Sequence, residues 1–469
     1  MTSDASSMPV LPMKAQRASS RVVSTLESAA FWLATLTVWL APLMGGGTSS
    51  WAMSFLSLFG TLALLLTLLA GAAGARLKAQ NPLWVVLAVL LLLWVALSNL
   101  WTPYALEGLR WTGTWTGVMG AALTLHLLAT TPARHAWVLG GILVAGAGAV
   151  GMAFLQARGV YPLPTLLPSL SLGAGQNFLT GPYFHPSHFS GYLIGIVALC
   201  SSLLVFTRLG LHSLLLLALL GAALFVNLKT DGSSIPGVFL AAALPILVWV
   251  WRTRVWAGVV LSLLGLAALG GVAYLLFSPS GQATFERYRA NFGFRSSSVQ
   301  GFVDCRSNVY RTDLNIWRDK PLGGIGIGQF YWTSSYYKSP AKGLPCEFTN
   351  LGRVNYAHSD YFQMATELGG VGLLLFLLLQ LSSVLRRPRS QAELAWTSAA
   401  IAYGLVGLYD AHQTYIPGTM MVLYALSALK LTPSKKPLEG VPTPLLSGTV
   451  HPMLERDPSI PKIVLPPRA

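Results

Sequence analysis

The feature that most constrains this chain is a succession of apolar runs, each long enough to cross a bilayer. A helix rises about 1.5 Å per residue and the hydrocarbon core is about 30 Å thick, so roughly 20 mostly apolar residues make one crossing. Such runs lie near 29–44, 51–71, 83–100, 109–130, 136–157, 187–207, 210–227, 235–251, 255–277, 359–384, 393–409 and 416–432. Those at 235–251 and 393–409 would fit a tilted or re-entrant segment as well as a full crossing. Lipid offers the backbone no hydrogen-bond partner, so each run must be helical. The expected fold is an all-α integral membrane protein of about twelve transmembrane helices. Composition agrees: only 10% of the 469 residues are charged, against about 25% in a soluble domain.

The basic residues set an expected orientation. With the N-terminus in the cytoplasm, cytoplasmic pieces hold 18 of the 31 lysines and arginines, and short external connections hold only Arg110, Arg158 and Lys229. That is the bias positive-inside insertion produces, and one missed helix would invert it downstream. The other ten lie in the long stretch 278–357, too long for the rule to govern. The chain therefore divides into a cytoplasmic tail 1–28, nine helices over 29–277, an extracytoplasmic loop 278–357, three helices over 358–433, and a cytoplasmic tail 434–469. The first tail reads as no secretory signal, since no cleavage site follows the first apolar run. The last, rich in proline after Pro433, has a disordered composition. Most of the net charge of +15 is thus topological, and it gives no reason to expect nucleic acid as a partner.

Two external segments carry polar chemistry. The first, 158–186, is rich in proline and glycine and leads into the sixth run. The second, 278–357, holds ten basic and five acidic residues, an excess that attracts anions such as phosphates. Its start, ATFERYRANFGF, suits a helix lying among lipid headgroups. Cys305 and Cys346 both fall in this loop and can pair in an oxidising compartment; two free thiols are the alternative. Cys200 lies within a run and reads as packing. The run GGIGIGQF looks like a phosphate-cradling glycine loop but lacks the strand and helix opening such a loop needs. No metal-ligand spacing is present, and no cofactor is expected.

Arg306 and Arg311 lie on an expected loop helix, and a guanidinium fork suits phosphate, although a solvated face is the commoner role. His358 stands where the long loop re-enters the membrane, and its ordinary pKa near 6.5 suits proton transfer. Asp360 and Glu367 follow it; a carboxylate two turns into a span needs a partner or a function. His185 and His188 flank the mouth of the sixth run, with Tyr183 just before them. Lys229, Arg110, Asp410 and His412 complete the set. On the expected topology all of these face outward, which marks a site at the outer leaflet.

Three stretches resemble the O-antigen ligase superfamily, which includes O-antigen polymerases and pilin-glycosylating oligosaccharyltransferases. TGPYFHPSHFSGYL is similar to its Gly-aromatic-x-Pro-Asn segment before a span. Arg306 through PLGGIGIGQF is similar to its loop arginine and following glycine pattern. YAHSDYFQMATELGGVG is similar to its Ala-His-Asn-x-aromatic and Glu-Leu-Gly-x-x-Gly pattern. The sequence departs from the pattern at Ser359 and His188, where asparagine is usual, and at KTDGSSIPG, where a second arginine is usual. Lys229 or Arg110 would have to supply that charge.

The resemblance implies a metal-independent, GT-C-type glycosyltransferase in a bacterial inner membrane. Its donor would be a glycan on undecaprenyl pyrophosphate, its acceptor a hydroxyl on lipid A core, a glycan or a pilin, and its surroundings membrane lipid. Arg306 would bind the pyrophosphate, His358 would act as general base, and the anomeric configuration would invert. Tyr183, His185, His188, Lys229, Arg110, Arg311, Asp360 and Glu367 would line the substrate. A polysaccharide polymerase is the alternative within the family. A lipid-linked glycan flippase is the alternative outside it, though matched halves with central polar groups would then be expected.

Overall fold

The computed structural model describes residues 13–160, 179–205, 210–230, 234–253, 259, 278, 299–340, 342, 353–385, 388 and 391–430. The described residues form helices and turns, and among them there is no strand. In chain order the longer helices are α1 (Met13–Leu40), α2 (Ser50–Ala72), α3 (Pro82–Leu97), α4 (Ala105–Leu128), α5 (Pro132–Ala157), α6 (Pro186–Leu204), α7 (Leu211–Thr230) and α8 (Ile235–Thr253). Then follow α9 (Val299–Asp319), α10 (Asp360–Val384), α11 (Gln391–Val406) and α12 (Pro417–Lys430). Eleven of the twelve expected runs coincide with one of these helices, and α9 is the expected loop helix. Apart from residues 259 and 278, the expected run 255–277 and the start of the long loop lie outside the described residues.

Local sequence explains where several helices begin. Asn81, Thr131 and His185 each precede a proline at the first helical position, and each side chain accepts a backbone N–H of the first turn. Proline costs nothing there, because that N–H has no helical partner anyway. Among the described residues seven helices are long and apolar enough to cross a membrane by themselves, and Ile235–Trp251 and Pro417–Leu429 are shorter apolar ones. The exposed leucines of α2, α3 and α7, such as Leu58, Leu93 and Leu215, form the kind of surface that lipid covers.

Three helices stand inside the others. Residues 189–202 of α6 and 417–429 of α12 are buried throughout, as is nearly every residue from Thr114 to Leu128 of α4. Protein rather than lipid surrounds α4, so it tolerates Thr112, Thr114, Thr116 and Thr124, and it is not among the seven helices that are long and apolar enough to cross a membrane by themselves. Its contact with α2 is backbone on backbone: a methyl on Gly60 would lie 2.0 Å from the Gly117 carbonyl oxygen. Small residues permit such approach, and dispersion plus weak polar contacts then hold the pair.

The PLGGIGIGQF segment clasps α10. At Gly369 the backbone leaves helical geometry, with φ 67° and ψ −170°. The turn enters that break: Gly370 N donates to Pro321 O at 2.7 Å, Ile325 N to Thr366 O at 2.9 Å and Gly326 N to Glu367 O at 2.9 Å. Trp94 of α3 closes the joint from its Nε1 to Leu368 O at 2.8 Å. Side chains are excluded at the crossing, since a methyl on Gly369 would lie 2.1 Å from Leu322 O. The glycines thus serve helix packing, consistent with their not reading as a phosphate cradle.

Candidate active site

The site is assembled at the end of the bundle where α4, α6, α10 and α12 begin and α11 ends. Ser359 caps α10 by accepting from Phe362 N at 3.4 Å, and its hydroxyl donates to Gly407 O at 2.7 Å. Asp360 binds the same connection. Its carboxylate accepts from Gln413 N at 2.9 Å, Gln413 Nε2 at 3.2 Å and Thr414 Oγ1 at 2.8 Å. These bonds fix the 407–415 turn against the start of α10, and that turn presents Asp410 and His412.

His358 immediately precedes this cap. It is the one non-glycine residue with positive φ, 54°, among the described residues. Histidine is among the few side chains that tolerate that region, and strain of this kind concentrates at functional positions. The Tyr310 hydroxyl lies 3.1 Å from His358 O and 3.0 Å from Leu408 O, tying the strained residue and the turn to α9. Arg306 lies one turn earlier on the face of α9 that carries Tyr310, close enough for its charge to act on His358.

An aromatic stack supports the imidazole. Tyr356 lies 4.2 Å from the His358 ring, centroid to centroid, and stacks at 4.6 Å on Tyr415, which stacks at 5.0 Å on Trp111. The Tyr356 hydroxyl donates to Asp410 Oδ1 at 3.0 Å and lies 3.4 Å from His188 Nε2. His412 Nε2 lies 3.5 Å from Asp410 Oδ2 and contacts Ser234 Oγ. His358, His188, Asp410, His412 and Tyr356 therefore form one cluster beside Arg306, drawn from separate parts of the chain.

Electrostatics sets the protonation of the cluster. Burial first, and the Arg306 charge second, hold His358 well below its ordinary value of 6.5, with Asp410 opposing. The imidazole is consequently neutral near pH 7. Its Nδ1 makes no hydrogen bond. Burial and Asp410 push Tyr356 up, so it remains a hydrogen-bond donor. His412 is lowered by burial, again against Asp410.

Other sequence-marked residues fall elsewhere. Glu367 accepts from Phe330 N at 3.0 Å, so its buried carboxylate serves the glycine clasp. Arg110 pairs with Glu107 at 3.4 Å and reaches Met53 Sδ and Ser50 Oγ. Arg311 turns toward Asn308 and the Pro340 carbonyl. Lys229 is exposed at the end of α7. His185, by contrast, stands at the edge of the cluster: it is exposed at the start of α6, its ring lies 5.2 Å from that of His188, and its charge bears on His358 and His412. Tyr183 stacks on Phe189 and Tyr192, and the Gly46 backbone presses against its ring. Cys305 is disulfide-bonded; Cys346 lies outside the described residues. Among the described residues no group of three or more His, Cys, Asp or Glu is placed to hold a metal ion.

Tyr356, Tyr310 and Tyr415 do not stand out in the sequence. Tyr356 carries one signal that could have found it, since it stands two residues before His358 inside the segment that carries the resemblance.

The fold and cluster define a helical membrane protein with a buried, mixed-charge site at one end of its bundle. A family model described as O-antigen ligase matches residues 193–377, and this bears out the resemblance of the chain to the O-antigen ligase and polymerase superfamily. The matched stretch includes Arg306, Glu367 and His358; His188, Asp410 and His412 lie outside it. No curated protein matches the chain.

Proposed function

We propose that this protein is a glycosyltransferase that moves a glycan from undecaprenyl pyrophosphate to an acceptor hydroxyl at the outer face of the inner membrane. The observation that carries the reading is a neutral histidine, His358, with a hydrogen-bond-free ring nitrogen, beside a permanent cation, Arg306. In this scheme His358 takes the proton of the acceptor hydroxyl as its oxygen attacks the anomeric carbon. The bond from that carbon to the pyrophosphate oxygen breaks, and the electron pair leaves with the lipid pyrophosphate. Attack from the opposite face inverts the configuration. Charge grows on the leaving group in the transition state, so a guanidinium fixed beside it lowers the barrier. The arrangement needs no metal for either role. A GT-C-type architecture, ligation to lipid A core or a pilin, and a fixed outward orientation belong to the same proposal.

Purified protein supplied with the lipid-linked glycan and a candidate acceptor tests this by mass spectrometry of the products. Transfer is expected in the wild type and to fall by at least a hundredfold in His358→Ala and in Arg306→Ala, with insertion into the membrane unchanged. Near-normal transfer by both variants would remove the mechanism. A single transfer to a lipid or protein marks a ligase, and a lengthening glycan marks the polymerase that the family also allows. A flippase would make no new covalent bond.

A further inference from the structure

A concavity lies apart from the His358 cluster, with the glycine clasp forming part of its wall. Its volume is about 870 Å³, and Trp94, Trp101, Tyr104, Asp319, Lys320 and Tyr336 are among its walls. Arg306 and Asp319 sit thirteen residues apart on α9, so roughly 20 Å of helix separates the two places. Ligand sites in proteins commonly run to about 300–1,000 Å³. The aromatic walls are open: Trp101 is 40% exposed and Tyr336 78% exposed. Trp94 and Trp101 lie 5.6 Å apart at 55°, so their rings form two tilted faces instead of one packed sandwich. Asp319 accepts from the Tyr337 hydroxyl at 2.7 Å, and Lys320 Nζ lies 3.9 Å from the same carboxylate oxygen, so the polar groups are held at the rim.

We propose that this groove binds a saccharide of the substrate, a deepening that rests on the glycosyltransferase reading above. A pyranose ring presents C–H bonds on a face and hydroxyls around its edge. An aromatic face takes the first, and a neighbouring carboxylate and ammonium take the second. A polyprenyl tail would match the rings but gain nothing from Asp319 and Lys320, and covering these two charged groups would strip them of water. A phosphate would meet the Asp319 charge. A groove about 20 Å of helix away from Arg306 holds units of the glycan remote from the reacting carbon, so it contributes to substrate retention more than to the chemical step.

The test uses the intact protein in lipid nanodiscs, with oligosaccharides released by mild acid from lipid-linked glycan and from the acceptor as separate probes. Saturation-transfer NMR reads binding, and transfer kinetics read KM and kcat. Trp101→Ala with Tyr336→Ala is expected to weaken saccharide binding at least tenfold and raise KM by a similar factor with kcat nearly kept. Trp101→Phe, which keeps an aromatic face, retains most of the affinity and guards against a folding defect. His358→Ala binds saccharide normally without transferring it. Response of only the donor-derived or only the acceptor-derived probe names the source. Unchanged affinity and KM in the double variant would overturn the groove while leaving the transferase intact. Loss of undecaprenyl phosphate binding in place of saccharide binding would overturn it in favour of a lipid groove. Saccharide binding that depends on Trp101 and Tyr336 in a protein that transfers nothing would support the groove and sink the transferase.

Discussion

His358 is held neutral by burial and by Arg306, and that has a measurable consequence. A base works only unprotonated, so the transfer rate should stay level as pH falls through 6.5 and decline only nearer the depressed value of His358. Asp410 opposes the depression, so Asp410→Asn should move the acid limb further down. Tyr356→Phe has a different signature. It removes a donor to a charged acceptor, an interaction worth about 1.5–3 kcal/mol, so transfer should fall roughly 10- to 100-fold with the limb nearly in place. Initial rates across about pH 4.5 to 8 separate the two, and a wild-type inflection at the ordinary histidine value would contradict the picture. At this scale the sequence is only partly readable. His358, His188 and Arg306 stand in motifs, and Asp410 and His412 stand out as polar groups beside apolar runs. Tyr356 and Tyr415 do not, because tyrosine at a membrane boundary is commonplace. Their role comes from a stack that joins three distant parts of the chain.

The elements are legible as lengths and opaque as partners. Crossing a bilayer fixes how long an apolar run must be, so most helices can be placed by counting residues. Nothing in PLGGIGIGQF names Gly369 as its counterpart, since the pairing runs through backbone atoms that every sequence has. The joint predicts a sharp position effect. Gly369→Ala would force an unfavourable φ and drive a methyl to 2.1 Å from Leu322 O. Strain of that kind costs on the order of 1–3 kcal/mol, and more where backbone cannot yield. A methyl added at Gly140 in α5 would meet nothing within 4 Å, so Gly140→Ala should be neutral or slightly stabilising. Thermal unfolding in detergent, followed by tryptophan fluorescence, should show a lowered midpoint for Gly369→Ala alone. Equal midpoints for the two variants would mean that the clasp does not hold α10.

For the whole molecule, hydropathy hides which helices are central. Leu217 of α7 and Leu193 of α6 are equally apolar, yet one is exposed and the other is buried. The clue is indirect: threonines and glycines along α4 mark a helix that packs against protein. This inner position matters to the site, because Trp111 at the start of α4 is the last ring of the stack beneath His358. Contact between Gly60 and Gly117 sets how closely α4 approaches α2. Gly117→Val would put a side chain where the Leu56 carbonyl lies only 2.3 Å from a methyl. Overpacking typically costs about 1–3 kcal/mol, and here it can be relieved only by moving α4. The expected result is a lower unfolding midpoint together with reduced transfer, although Gly117 belongs to no site. Leu65→Ala, on the exposed face of α2, should change neither quantity beyond scatter. If Gly117→Val lowers the midpoint but leaves kcat untouched, then the position of α4 does not govern the stack, and the support for His358 comes from α9 and the 407–415 turn alone.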